Sequence, residues 1–244
     1  MTKPERSSQL HRALAGLRQK ILGGEFAPGE RLKETAVSRS IGISRTPLRQ
    51  AVDVLVSEGM LERLPTGGSR VASFRFQDIV DAIEIRGVLE GTAARLAAER
   101  GADDLHLQQA RTILTRLDTA LDRPGEMDFE SYVQNNAAFH DLIARMAGSP
   151  VVEREVARAS NLPVASPSAF LQGQELIPDF RQSLVRAQHQ HRAVFTAIED
   201  REGSRAEGLM REHARLAREN LEYVMHKKPS LASRIPGLAL VAQA

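Results

Sequence analysis

The sequence predicts a mainly α protein in two parts: a small N-terminal unit of helices closed by a β-hairpin, then an all-α antiparallel helical bundle. Three observations predict it. Aromatic residues are only 4% of the chain and Trp is absent, so the core must rest on Leu, Ile, Val and Ala, which favours helix over sheet. Apolar residues recur at helical spacing through most of the 244 residues. One hairpin signal stands out, Pro65-Thr66-Gly67-Gly68-Ser69 between short alternating runs at 60–64 and 70–74.

Each element follows from its own pattern. Leu10, Ala13, Leu14, Leu17, Ile21 and Leu22 mark a helix over 8–23, stopped by Gly23-Gly24. Residues 26–32 read as a turn and a short extended piece. A short helix follows over 34–40, broken at Gly42. Ser44 is placed to cap the next helix, and Pro47 lies in its first turn, where a missing N–H costs little. Leu48, Ala51, Val52, Leu55 and Val56 form its core face, and Gly59 ends it. From about residue 78 the pattern is long helix, over 78–100, 103–122, 128–147, 150–160, 178–200 and 204–226. The breaks fall at Gly101, Pro124-Gly125, Gly148-Ser149-Pro150, the 163–178 region and Gly203, and no internal repeat is visible. From Pro229 the helical period is lost, which predicts a loose tail. The expected division is therefore 1–75, 76–228 and 229–244.

Composition removes several classes of function. The chain has no Cys, so disulfide scaffolds, thiolate zinc sites and Cys nucleophiles are excluded. No segment approaches 18 apolar residues, so no membrane span is expected and a cytoplasmic location is the default. The net charge of +2 is unevenly spread. Residues 1–75 hold 13 Lys+Arg against 7 Asp+Glu, a net of +6, while the remainder holds 20 against 24, a net of −4. A basic small unit joined to a mildly acidic larger one suggests that the first part meets a polyanion.

The order helix, short helix, turn, capped helix, hairpin is that of a winged helix-turn-helix. In such a motif the second helix of the pair enters the DNA major groove by its N-terminus. Here that first turn presents Arg45, Thr46 and Arg49, while Leu48 and Val52 face inward. An arginine fork bonds guanine O6 and N7 together. Ser44 and Thr46 suit phosphate, helped by the helix N-terminus. Gly67 and Gly68 at the wing tip let backbone approach DNA closely, with Arg70 beside them. Residues 8–74 resemble the GntR family of bacterial regulators through PGERLKE (28–34) and IGISRTPLRQAVDVLVSEGMLERLPTGGSRV (41–71). The resemblance implies DNA contacts by Arg45, Thr46, Arg49 and the wing glycine Gly67 or Gly68. The stretch AVSRSIG (36–42) departs from the family's Leu-Ala pair, a change expected to touch the short helix and not the reading helix.

The second part carries inward polar residues. His140 shares a helix face with Val133, Asn136, Ile143 and Ala147; His191 lies among Leu184, Ala187, Val194, Phe195 and Ile198; His213 lies among Leu209, Met210, Leu216 and Ala217. A lone inward His is usually a satisfied core residue. Three, from three helices with Asn136 one turn from His140, suit a divalent metal such as Zn²⁺ or a Ni/Mn-type ion. His11, His106, His189 and His226 read as surface residues. Arg86 falls on the inner stripe with Ile79, Ile83, Leu89, Ala93 and Leu96, and a buried guanidinium needs an anion. Its partner is either Glu90, one turn on, or a ligand carboxylate. Asn220, seven residues after His213, shares that helix's face.

This part is similar to the FCD effector domain of the FadR branch of GntR regulators. The similarity lies in IRGVLEGTAARLAAERG (85–101), NAAFHDLI (136–143), QHRAVFTAIEDRE (190–202) and MREHARLARENLE (210–222), and six helices are closer to the VanR-like subgroup. It implies a metal held by Asn136, His140, His191 and His213, with Asn replacing the more usual Asp and weakening the site. It also implies a small organic acid as effector, at Arg86 and Asn220, and a homodimer on an inverted repeat of operator DNA, most often as a repressor. Two alternatives remain open: a metal-dependent enzyme, against which no inward carboxylate is visible as a general base, and a metal-stabilised DNA-binding protein without an effector.

Overall fold

The computed structural model describes residues 3–122, 127–160, 166–167, 180–227 and 238–241. Helix α1 (Lys3–Leu22) starts five residues before the expected start at 8, and Pro4 is tolerated in its first turn. Helix α2 (Glu34–Ile41) ends where Gly42 turns left-handed at φ 69°, ψ 39°. Val37 is buried there, and the Ser38 hydroxyl donates to the Ile43 carbonyl, so the departure at 36–42 is absorbed inside the short helix and its turn. Helix α3 (Arg45–Ser57) follows. Strands β1 (Leu61–Arg63) and β2 (Ser69–Val71) pair antiparallel, Leu61 opposite Val71 and Arg63 opposite Ser69. Arg31, in the extended piece before α2, bridges to Arg70 on the other side of β2. Leu17, Ile21, Leu48, Val52, Leu55, Leu61 and Val71 make one buried cluster.

The bundle consists of α4 (Phe76–Arg100), α5 (Asp104–Asp122), α6 (Phe129–Met146), α7 (Pro150–Ser160), α8 (Phe180–Glu199) and α9 (Gly203–Lys227). The longest packing seam is α4 on α9, with α8 against α9 and α6 against both α4 and α5. Gly87 and Gly91 make that seam possible. A Cβ at Gly87 would meet Ala214 Cβ at 2.7 Å, and one at Gly91 would meet Arg211 Cγ at 2.8 Å. Close approach at these two turns brings Arg86 and Glu90 beside α9. The breaks expected at Pro124-Gly125 and across 163–178 lie outside the described residues, apart from Ser166 and Pro167. Among the described residues no helix is long and apolar enough to cross a membrane.

The expectation of a loose C-terminal tail is corrected over 238–241. Leu238–Leu240 forms a 3-10 turn, and Leu238, Leu240 and Val241 are buried. Leu240 joins the N-terminal cluster, whereas Leu238 and Val241 join the bundle core. The Phe74 N–H donates to the Leu240 carbonyl at 2.9 Å, and Phe74 pairs in parallel with Val241. So short an apolar run shows no helical period, yet it fills the seam between the two cores.

Candidate nucleic-acid interface and candidate metal centre

The start of α3 is built to be read from outside. Pro47 and Leu48 are buried, which anchors the first turn, and Ser44, Arg45, Thr46 and Arg49 are exposed. Ser44 holds the N-cap position in extended backbone (φ −69°, ψ 161°), but its side chain makes no capping hydrogen bond. Its hydroxyl therefore does not satisfy the helix's first N–H groups, which stay suited to an anion. Arg49 Nε donates to Glu34 Oε2 at 3.0 Å, so α2 steadies one of the two arginines of this turn. At the wing, Gly67 and Gly68 have φ of 86° and 85°, a conformation that side chains resist. Arg31 Nη2 donates to the Gly67 carbonyl at 2.9 Å and pins the tip. Arg70 pairs with Glu62 across the hairpin at 2.6 Å. Arg31 and Glu34 are supports that sequence reading missed, because both act across turns with no periodic signal.

In the bundle, His140, His191 and His213 converge. Their exposures are 3%, 0% and 8%, and one nitrogen from each lies within 4.8 Å of the others. His191 Nε2 is 3.0 Å from His213 Nε2, which is 3.3 Å from His140 Nε2. The outer nitrogens turn the other way: His140 Nδ1 to Glu90 Oε1 at 2.8 Å, His191 Nδ1 to Gln188 Oε1 at 3.1 Å, and His213 Nδ1 to Gln190 Oε1 at 3.1 Å. Burial pushes the His191 imidazole well below its usual 6.5, with the His140 charge adding to it. Burial does the same to His213, helped by His191, His140 and Arg86. Neutral imidazoles are the form that binds a metal. His11, His189 and His226 are exposed, and half-buried His106 pairs with Asp103.

Arg86 has Glu90 as its partner. The two are buried, and Arg86 Nη1 lies 3.1 Å from Glu90 Oε2. Burial alone would raise the Glu90 carboxyl, but Arg86 and His140 outweigh it and hold it below the usual range. Glu90 is thus the partner one turn on that the spacing from Arg86 allowed, and it faces this centre through His140. Glu90 is spent on Arg86 and His140, which leaves it no role as a general base. Arg86 Nε is buried and has no hydrogen-bond partner among the described residues. Arg86 lines a cleft shared with Tyr132, Asn136, His140, His213 and Asn220, which brings the expected polar residues to one place with His191 just behind them. Asn136 Nδ2 donates to the Pro167 carbonyl at 3.4 Å, and Asn220 Oδ1 accepts from Ser183 at 3.1 Å. Gln188 was missed by sequence reading, although its spacing of three residues puts it on one helix face with His191. Gln190 was missed too, because it reaches from α8 to a histidine on α9.

This combination has counterparts. Residues 11–71 match the family described as bacterial regulatory proteins, gntR family, and residues 81–216, more than half of the chain, match the FCD domain. An uncharacterized HTH-type transcriptional regulator in an unstable DNA locus of Streptomyces ambofaciens is 29% identical over 226 residues, covering 88% of this chain and 86% of the relative. The HTH-type transcriptional repressor GlaR of Escherichia coli K12 is 28% identical over 200 residues, covering 81% and 88%. The solved structure of the Listeria monocytogenes regulator Lar superposes with a TM-score of 0.64 at 18% identity, covering 86% of this chain and 95% of that one, and so shares the fold. With a winged reading head in front of an FCD bundle, the chain belongs to the GntR family: it is a DNA-binding transcription regulator and not an enzyme.

Proposed function

We propose that residues 1–75 read operator DNA and residues 76–228 sense a small carboxylate at a metal-containing cleft, the sensing step setting DNA affinity. The observation that carries this reading is the approach of three buried Nε2 atoms at 3.0 and 3.3 Å with their Nδ1 atoms turned to oxygen. Lone pairs aimed at one point repel unless a cation, or a proton on the central His213 Nε2, lies between them. His140, His191 and His213 would hold a Zn²⁺ or Ni/Mn-type ion, with the Asn136 oxygen as a further neutral ligand, since its amide nitrogen is used by Pro167. When bound, the ion supplies open coordination positions for an oxygen ligand.

The chain's own charges favour an anionic effector. Arg86 and Glu90 cancel, and imidazoles bound to a metal and Asn136 would add no charge, so the charge of a divalent ion would be left for an anion to offset. Arg86, whose Nε has no partner among the described residues, and Asn220 line the cleft such an anion enters. Two copies pair through the bundle and set one α3 each in the half-sites of an inverted repeat, in the cytoplasm. Ser44, Arg45, Thr46 and Arg49 face bases and phosphates, with Gly67, Gly68 and Arg70 at the flanking groove. The effector binds one arrangement of head and bundle better, and shifts operator affinity by that difference. We read the outcome as release from DNA, in line with the repressor name of GlaR.

Gel-shift titration with DNA from upstream of the gene tests the reading head: Arg45→Ala/Arg49→Ala is expected to abolish binding, and unaltered binding overturns it. Metal analysis, followed by thermal shifts over an organic-acid panel with and without chelator, tests the sensor. A ligand response that survives loss of the metal overturns the metal-bridged cleft.

A further inference from the structure

Two of the three imidazoles have partners that can only accept. Gln188 Nε2 donates to the Leu114 carbonyl at 3.0 Å and to Asp118 Oδ1 at 2.7 Å. A carbonyl and a carboxylate offer no proton, so the amide nitrogen must lie at that end. The amide oxygen is thereby turned to His191 Nδ1, and it too can only accept. His191 then carries its proton on Nδ1 and leaves Nε2 bare. On the opposite side, Glu90 receives both of its close Arg86 contacts from a donor and faces His140 Nδ1 with Oε1. His140 is thus held in the same tautomer. Gln190, facing His213, has no comparable second partner among the described residues, so His213 is the adaptable member of the set.

Resting on the metal reading above, we propose that Glu90 and Gln188 are positioning residues that preset His140 and His191 as Nε2 ligands. The network draws on four helices: α4 for Glu90, α5 for Leu114 and Asp118, α6 for His140 and α8 for Gln188 and His191. Asp118 is itself braced by Arg192, which keeps the far end of the Gln188 clamp in place. Such outer partners fix ring orientation and raise ligand basicity, and their loss weakens metal binding about 10–100-fold.

The test compares the full chain with Gln188→Met and with Arg86→Met/Glu90→Leu. The first removes the amide at similar volume. The second removes the His140 acceptor without leaving a buried unpaired charge. Circular dichroism confirms that each variant is folded without metal. Zn²⁺ affinity is read by competition with a chelating dye, and ring protons are read by ¹H–¹⁵N NMR of the Zn²⁺-loaded chain. Wild type is expected to show protected Nδ1–H signals for His140 and His191. Gln188→Met is expected to lose protection at His191 alone, and the double variant at His140 alone, each with about 10–100-fold weaker Zn²⁺. Unchanged affinity, or weaker affinity with both signals intact, overturns the positioning role and leaves the metal site standing. A wild-type chain that takes up no divalent ion overturns the metal reading and this role together.

Discussion

Arg86 Nη1 and Glu90 Oε2 meet at 3.1 Å one turn apart on α4, both side chains at 2% exposure or less, and the same carboxylate touches His140. The guanidinium lining the cleft and the His140 imidazole beside it therefore share one acceptor. Any ligand drawn to Arg86 acts on a residue already tied to the candidate metal centre.

That sharing predicts a strong asymmetry between single and paired substitutions. Arg86→Met alone leaves a buried carboxylate uncompensated and is expected to cost about 3–5 kcal/mol. Arg86→Met/Glu90→Leu replaces the pair by apolar groups and is expected to cost far less than the two single changes added. Urea unfolding of chelator-treated protein measures both. Additive losses would mean that the pair does not act as a unit.

The depressed imidazoles predict an acid-sensitive metal-free state. His191 and His213 stay neutral when folded but protonate near 6.5 when unfolded. Above that pH neither state binds the extra protons and the groups contribute nothing. Below it the unfolded chain binds more protons, so stability falls by up to about 1.4 kcal/mol per pH unit for each histidine until the folded value is reached. Unfolding of chelated protein between pH 7 and pH 5 is expected to show this extra slope, and His191→Leu/His213→Leu to lack it. Equal slopes would contradict neutral burial.

Close packing of α4 on α9 depends on Gly87, where an added Cβ lands 2.7 Å from Ala214 Cβ. Gly87→Ala gains about 1 kcal/mol of helix propensity but overpacks the seam by about 1–3 kcal/mol. A net loss of stability is expected, together with weaker Zn²⁺ binding as Glu90 and His213 move apart. A stabilised variant with unchanged Zn²⁺ affinity would show that the seam yields freely.

Leu240 predicts that the C-terminal segment supports the reading head. It is fully buried among α1, α3 and hairpin residues. Leu240→Ala is expected to cost about 2–5 kcal/mol, a range set by how far the surrounding side chains collapse. Hydrogen exchange should locate the loosening at Leu17, Ile21 and Phe74. Exchange unchanged at these positions would place the segment outside the cooperative unit.

Much of this site was legible in one dimension. The spacing of Ser44, Arg45, Thr46 and Arg49 against buried Leu48 announced an exposed first turn of α3. His140, His191, His213 and Arg86 announced themselves as polar residues on apolar helix faces. Local chemistry suffices there, because helix period and capping are properties of neighbours in sequence. Whether three inward histidines meet at 3 Å or lie apart depends on helix placement, and sequence left Arg86 two possible partners, Glu90 and a ligand carboxylate.

The sequence by itself determined the helices, the hairpin, the exposed polar residues at the start of α3 and the set of inward polar groups, since each follows from interactions within a few residues. Only the tertiary structure decided that Glu90 serves Arg86 and His140 together, that Gln188 and Gln190 back the other imidazoles, and that residues 238–241 close the seam between the cores. Apart from the one-turn pairs Arg86–Glu90 and Gln188–His191, those contacts join segments at least 23 residues apart. Burial and directional hydrogen bonding select them only once the chain has folded.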